Sequence, residues 1–294
     1  MENKSPPQVD DAPSPFDAEA AALASLSAAL ASPPTQPAAP TGEPPVLLIA
    51  AGSFSPVTTA HIAMLAHARD YFTAAGTPVA AAVLSPASDG YLEFKAASAA
   101  SATAMHRVAM ATVATAGVPW LAVDGVEASG GRRLPTADAV AGIMHRVGGL
   151  LMGRRDKHTV VPVVVFGVDV FVDFVDATKW PLANVERLLR AAMVAVYPRC
   201  QPATPPSHGG NPAVAGAATD AIVHTRDAET EARLLRHPLL APHAARVVWL
   251  AGVPPLNGSS SAVRTALGSS APTPAGLLHP GVAAYIAAHR LYEV

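Results

Sequence analysis

Two short segments far apart in the chain carry side chains suited to holding phosphate. The first is Gly52-Ser53-Phe54-Ser55-Pro56-Val57-Thr58-Thr59-Ala60-His61. It follows an apolar run, turns tightly through Gly, Ser and Pro, and then begins a helical pattern with His61 near the first turn. Backbone N–H groups at a helix start lack intrahelical partners and the helix dipole adds partial positive charge, so an anion is favoured there. Thr58 and His61, three residues apart across that start, can both point toward a bound phosphate. The histidine can then steady charge that builds on phosphoryl oxygens. Taken alone, the same residues also describe an N-capping turn with an incidental histidine. The second segment is Gly258-Ser259-Ser260-Ser261-Ala262-Val263-Arg264. Hydroxyls at a helix N-terminus cap it and bind phosphate oxygens, and Arg264, one turn in, presents a planar fork of donors.

Other positions add to these. Phe166-Gly167-Val168-Asp169 closes an apolar run. Gly167 there lets a ligand approach the backbone, and Asp169 can accept from a ribose or a base edge, although a bare Gly-x-Asp is also an ordinary turn. Trp180 is either a core residue or a wall for an aromatic ring. Arg199, just past the run 193–197, either reaches phosphate or a nucleoside or is solvated beside a loop. A phosphate loop of the Gly-x-x-x-x-Gly-Lys-Ser/Thr type is absent: residues 148–153 begin like one, but Arg154 and Arg155 follow, and the stretch closes a helix. The sequence also lacks a zinc-type cluster of Cys and His.

These residues need a scaffold, and the hydrophobic pattern supplies one. Short Val- and Leu-rich runs recur at 46–51, 79–84, 120–123, 160–166, 193–197 and 247–251. They lack polar alternation, as strands covered on both faces do. Helical patterns lie between several of them, at 60–75, 99–116, 136–151 and 228–236, and two more close the chain. Strands alternating with helices indicate an α/β fold, a doubly wound, Rossmann-like parallel sheet with helices on both faces. Residues 1–44, biased to Pro, Ser and Ala, read as a disordered tail, although 18–31 is able to form a short helix without a strong apolar stripe. Residues 45–294 read as a single domain, with 201–218 a flexible insertion.

Composition narrows the classes further. The 294 residues are 50% hydrophobic and 14% charged, enough for a sizeable core. A net charge of -2 without a long basic run argues against nucleic acid or a membrane surface as partner. The single Cys200 rules out an intramolecular disulfide framework and suits a reducing compartment. The acidic start fits neither a secretory signal nor a transit peptide, and no apolar run is long enough to span a bilayer. The expected location is the cytoplasm, with the nucleus left open.

Taken together and in order, the motifs resemble those of the nicotinamide/nicotinate mononucleotide adenylyltransferases of eukaryotic type, within the nucleotidylyltransferase superfamily. Gly52 to His61 is similar to that family's nucleotide signature, with Ser55 where asparagine is usual. Ser85-Pro86-Ala87-Ser88-Asp89-Gly90-Tyr91 resembles its next segment, which leads to a phosphate-contacting lysine and then a His-Arg pair, here His106-Arg107. Glu93 stands at the lysine's usual place, and Lys95 is the shifted candidate for that role. Trp120-Leu121-Ala122-Val123-Asp124-Gly125-Val126-Glu127 is similar to the family's Trp-x-x-Val-Asp-x-Trp-Glu, with Val126 in place of the second Trp, which stacks on the nicotinamide ring. Gly258 to Arg264 and the closing residues 278–292 complete the resemblance.

The resemblance implies attack of a mononucleotide phosphate on the α-phosphorus of ATP, with pyrophosphate leaving and no covalent enzyme intermediate. His61 would then serve the α-phosphate, and Arg264 with Ser259, Ser260 and Ser261 the outgoing phosphates. Gly52, Ser53, Phe54, Thr58, Lys95, Gly167 and Asp169 would complete the ATP side, and Ser53, Phe54, Glu127, Trp180 and Arg199 the mononucleotide side. Mg²⁺ would be held mainly by substrate phosphates and water, without a protein cage. Preference between the amide and acid mononucleotides, and assembly into a homo-oligomer, stay open. Two rival readings are a related nucleotidylyltransferase with another phosphorylated acceptor, and a nucleotide-binding or chaperone-like protein that has lost catalysis.

Overall fold

The computed structural model describes residues 15–32, 44–94, 101–152, 160–198, 228–254, 256, 258–269, 272–273 and 275–292. Lys95, Arg199, Cys200 and the 201–218 segment lie outside the described residues. Six strands form one parallel sheet: β1 (Val46–Gly52), β2 (Val79–Pro86), β3 (Leu121–Val123), β4 (Val161–Gly167), β5 (Met193–Tyr197) and β6 (Val247–Trp249). Their order is β3-β2-β1-β4-β5-β6. The direction of winding therefore reverses between β1 and β4, where a doubly wound sheet opens a crevice beyond the strands' carboxyl ends. Each of the six apolar runs read from the sequence is a strand.

Alternation along β1 divides the core. Leu47 and Ile49 face one apolar cluster, whereas Val46, Leu48 and Ala50 face another. The second cluster is covered by α2 (Thr59–Ala74), α4 (Ala104–Thr115) and α11 (Pro280–Ala288). The first is covered by α6 (Thr136–Leu151), α7 (Val168–Phe174), α8 (Leu182–Ala191) and α9 (Ala228–Leu235). Single turns or short helices, α3 (Asp89–Phe94) and α5 (Val126–Ser129), follow β2 and β3, and α10 (Ser260–Gly268) follows β6. The helical patterns at 60–75, 99–116, 136–151 and 228–236 correspond to α2, α4, α6 and α9; α7 and α8 were not among those patterns.

One expectation fails. The stretch 15–31, read as part of a disordered tail, is helix α1 (Pro15–Ala31) docked on the domain. Ala18, Ala22, Leu26 and Ala29 are buried along one face, with Leu26 fully so. Alanine contributes little to an apolar stripe on paper, yet its small side chain lets a helix lie close against a neighbour, and here burial comes from close approach. Among the described residues, no helix is long and apolar enough to cross a membrane.

Candidate active site

The loop after β1 is shaped by a backbone reversal. Phe54 has φ 46°, and its ring lies back across Gly52 and edge-on to His61, with ring centroids 5.0 Å apart. Thr58, the N-cap of α2, donates its backbone N–H to His61 Nδ1 at 2.9 Å, and its Oγ1 lies 2.9 Å from the same atom. This is the reciprocal geometry of a capping box with histidine at the third helical position. A backbone N–H can only donate, so Nδ1 accepts, and the ring proton of the neutral imidazole resides on Nε2. Thr58 is thus committed to orienting His61 instead of pointing to a phosphate alongside it, and it is buried behind the cavity wall.

The C-terminal quarter of the chain clamps this loop almost residue by residue. Arg264 Nη1 donates to the Ser55 carbonyl at 2.6 Å while Nη2 donates to Ser261 Oγ at 3.1 Å. Ser260 Oγ donates to the Pro56 carbonyl at 2.8 Å, and Thr59 donates from both N–H and hydroxyl to the 276–277 backbone. Ser259 caps α10 by accepting from Ala262 N–H. Gly258 eases this closeness, since a Cβ there would lie 2.7 Å from Leu277 Cδ2 and that side chain would have to shift. Tyr292 reaches in from beyond α11, its hydroxyl 3.1 Å from Ser55 Oγ, and burial raises its pKa above the usual phenol value. Behind the serines, Tyr197 at the end of β5 donates to the Pro254 carbonyl and accepts from His67 Nδ1 at 2.6 Å; burial pushes this phenol up to about 12.

Arg107 fixes the other side of the loop. It is fully buried, and its guanidinium donates to the carbonyls of Ser53 (2.7 Å) and Ala102 (3.1 Å) and to Asp89 Oδ1 (3.0 Å). One cation therefore ties the β1 loop to the first residue of α3. The adjacent His106 faces α11, with Nδ1 2.9 Å from the Tyr285 hydroxyl; burial, then His289, hold its pKa below the usual imidazole value.

Gly167, Asp169, Trp180 and Glu127 line the same cavity as the phosphate-type residues. Trp180 is both things the sequence left open, because it packs against Phe166 and Phe174 and also lines the cavity. Glu127 sits on α5 with 7% of its surface exposed. Burial pushes its carboxyl up to about 7, against the opposing pull of backbone N–H groups from Ser88 and Leu134 and of the Arg107 charge. Val126, its neighbour, does not line the cavity; the aromatic residues that do, among the described residues, are Phe54, Tyr91, Phe166 and Trp180.

All of this meets in a cavity of about 690 Å³ at the switch point between β1 and β4. Of the residues singled out from the sequence, Gly52, Ser53, Phe54, His61, Glu127 and Gly167 line it, as do Asp169, Trp180, Ser259, Ser260, Ser261 and Arg264. Thr58 stands behind His61, and Lys95 and Arg199 lie outside the described residues. Sequence reasoning passed over Tyr91, Leu134 and Thr136, which also line the cavity, and assigned no role to Arg107 or Tyr292. Tyr91, Arg107 and Tyr292 carried a signal, since each belongs to a segment already singled out.

Comparison with known proteins agrees with the fold. Residues 49–266 match the cytidylyltransferase-like family, a span that runs from β1 into α10. The chain belongs to that family. Within it, the chain is 38% identical over 80 residues to nicotinamide/nicotinic acid mononucleotide adenylyltransferase 1 of Bos taurus, covering 27% of each chain. It is 30% identical over 123 residues to adenylyltransferase 2 of the same description from Xenopus tropicalis, covering 40% of this chain and 38% of that one. These alignments thus span well under half of the curated relatives' length. A solved structure of Plasmodium falciparum nicotinic acid mononucleotide adenylyltransferase, complexed with NaAD, shares the fold with a TM-score of 0.51. That match is 16% identical and covers 84% of this chain and 97% of the other. The cytidylyltransferase-like chain is therefore similar to mononucleotide adenylyltransferases in both sequence and fold.

Proposed function

We propose that this chain transfers AMP from ATP to nicotinamide mononucleotide or nicotinate mononucleotide, forming the dinucleotide and pyrophosphate. The observation that carries the reading is the convergence of His61, Ser259, Ser260, Ser261 and Arg264 with Trp180 and Glu127 around one switch-point cavity. The first set suits phosphates and the second suits a ring with a polar substituent. The similarity to mononucleotide adenylyltransferases supports the same choice of substrates.

In this reading the acceptor's phosphate oxygen attacks the α-phosphorus of ATP and the bond to the β-phosphate oxygen breaks, so pyrophosphate carries away the electron pair. His61 donates from Nε2–H to the α-phosphoryl oxygens, in the tautomer that Thr58 imposes. Arg264 and the α10 N-terminus hold the outgoing phosphates, with Arg264 pre-set by Ser55 and Ser261. Gly167 and Asp169 face the nucleoside of ATP. The donor set is hydroxyls, a guanidinium and helix N–H groups, and no group of three or more His, Cys, Asp or Glu able to hold a metal occurs among the described residues. Such a site suits Mg²⁺ carried in on substrate phosphates, where it would offset their charge.

The test is incubation of the purified protein with ATP, Mg²⁺ and either mononucleotide, following dinucleotide and pyrophosphate. Dinucleotide from either acceptor is the expected result. Binding of ATP without product from either acceptor would refute the reading and favour another phosphorylated acceptor.

A further inference from the structure

Helix α1 precedes the residues that match the family, yet it is wired to the helical turn that bears Glu127. β3 is an edge strand of the sheet. Asp124 N–H bonds inward to the Leu84 carbonyl of β2 at 2.8 Å, so by alternation the Val123 N–H faces away from β2. α1 meets that outward donor: Ser25 Oγ accepts from Val123 N–H at 3.0 Å, and Ser32 Oγ donates to the Pro119 carbonyl at 2.8 Å. The residue after Val123 is Asp124, 1% exposed, whose Oδ1 accepts at 3.0 Å from the N–H of Val126, the first residue of α5. Its Oδ2 takes a two-pronged contact from Arg146 of α6, Nε at 3.0 Å and Nη2 at 2.5 Å. Arg146 in turn pairs with Glu19 of α1 at 3.8 Å. α1 also packs directly on α5. Two routes, one through Ser25 and β3 and one through Arg146 and Asp124, therefore converge on the single helical turn that bears Glu127.

We propose that α1, acting through Ser25 and the Arg146–Asp124 pair, positions the α5 turn and thereby sets affinity for the acceptor mononucleotide without touching ATP. Ser25 and Arg146 are positioning residues here, since neither lines the cavity. A four-residue helix has little stability of its own, so its orientation depends on its cap and on what packs behind it. The hydrogen bonds given above for His61, Ser259, Ser260, Ser261 and Arg264 involve none of these residues, which is why the effect is confined to one substrate. The inference rests on the proposed reaction for the identity of the acceptor.

The experiment compares wild type, Ser25→Ala and Arg146→Met by calorimetric titration with nicotinamide mononucleotide and, separately, with ATP and Mg²⁺. Each variant should weaken mononucleotide binding by about three- to tenfold, with the ATP constant held within about twofold. Arg146→Lys should recover part of the loss. Amide exchange over residues 126–129 should accelerate in both variants, a readout independent of any ligand. Weakening of both substrates alike, or unchanged mononucleotide binding with unchanged exchange, would overturn the inference even if Arg146→Met proved too unstable to use, because Ser25→Ala removes one hydroxyl only. If wild type bound ATP but neither mononucleotide, the proposed function itself would fall, and the exchange data would stand apart from it.

Discussion

Glu127 offers a test in which proton, stability and substrate choice are linked. Its carboxyl is buried, and its pKa rises from the usual 4.5 to about 7. The native state therefore keeps a proton that the unfolded chain has already released across that window. The native state binds more protons than the unfolded state there, so unfolding free energy falls as pH rises from 4.5 through about 7. At about 1.4 kcal/mol per pH unit, the full penalty above that window is about 3 kcal/mol. Glu127→Gln keeps the side chain's shape and its carbonyl acceptor for the Ser88 and Leu134 N–H groups but cannot ionise. Urea unfolding of both proteins near pH 5 and near pH 8 should show the variant gaining about 2.5 kcal/mol on wild type between the two. In the same range, a neutral carboxyl can donate to the carboxylate of nicotinate mononucleotide, whereas an ionised one repels it. Turnover with the acid acceptor should then fall relative to the amide acceptor as pH passes about 7 in wild type, and Glu127→Gln should flatten that ratio. Stability curves that run parallel in pH for the two proteins would refute the burial argument.

Three further outcomes follow from the geometry. His61→Ala should slow turnover by roughly a hundred- to a thousandfold and, because Nδ1 caps the Thr58 N–H, should also remove about 1 kcal/mol of stability; near-normal turnover would remove His61 from the chemistry. Arg107→Met should lower unfolding free energy by about 3 kcal/mol, since the Ser53 and Ala102 carbonyls lose a buried donor, and denaturant melts would show it. Leu26→Ala should cost about 2–5 kcal/mol, because the side chain is fully buried between α1 and the domain core; an unchanged melting temperature would mean that α1 is not docked in solution.

The sequence alone determined the architecture and the address of the site, for a physical reason visible in its spacing. Strands buried on both faces must be apolar throughout, so 46–51, 79–84 and 160–166 announce themselves by hydrophobicity. Gly52, Gly167 and Asp124 each follow such a run directly, and in a parallel sheet every carboxyl end lies on one edge. Residues more than 200 positions apart, His61 and Arg264, were therefore bound to share that edge once the fold class was known. What the sequence could not reveal were contacts between side chains with no fixed spacing. The commitment of Thr58 to His61 instead of to phosphate depended on which rotamer the loop geometry allowed. Arg107 stood out only as half of a His-Arg pair, without a role, until the fold closed over it and supplied three acceptors. α1 looks unfolded because alanine gives hydrophobicity scales little to register, and only a neighbouring surface shaped to receive small side chains turns that composition into a docked helix. The value of a buried polar or small residue lies in the partners brought to it, and those are chosen by tertiary packing.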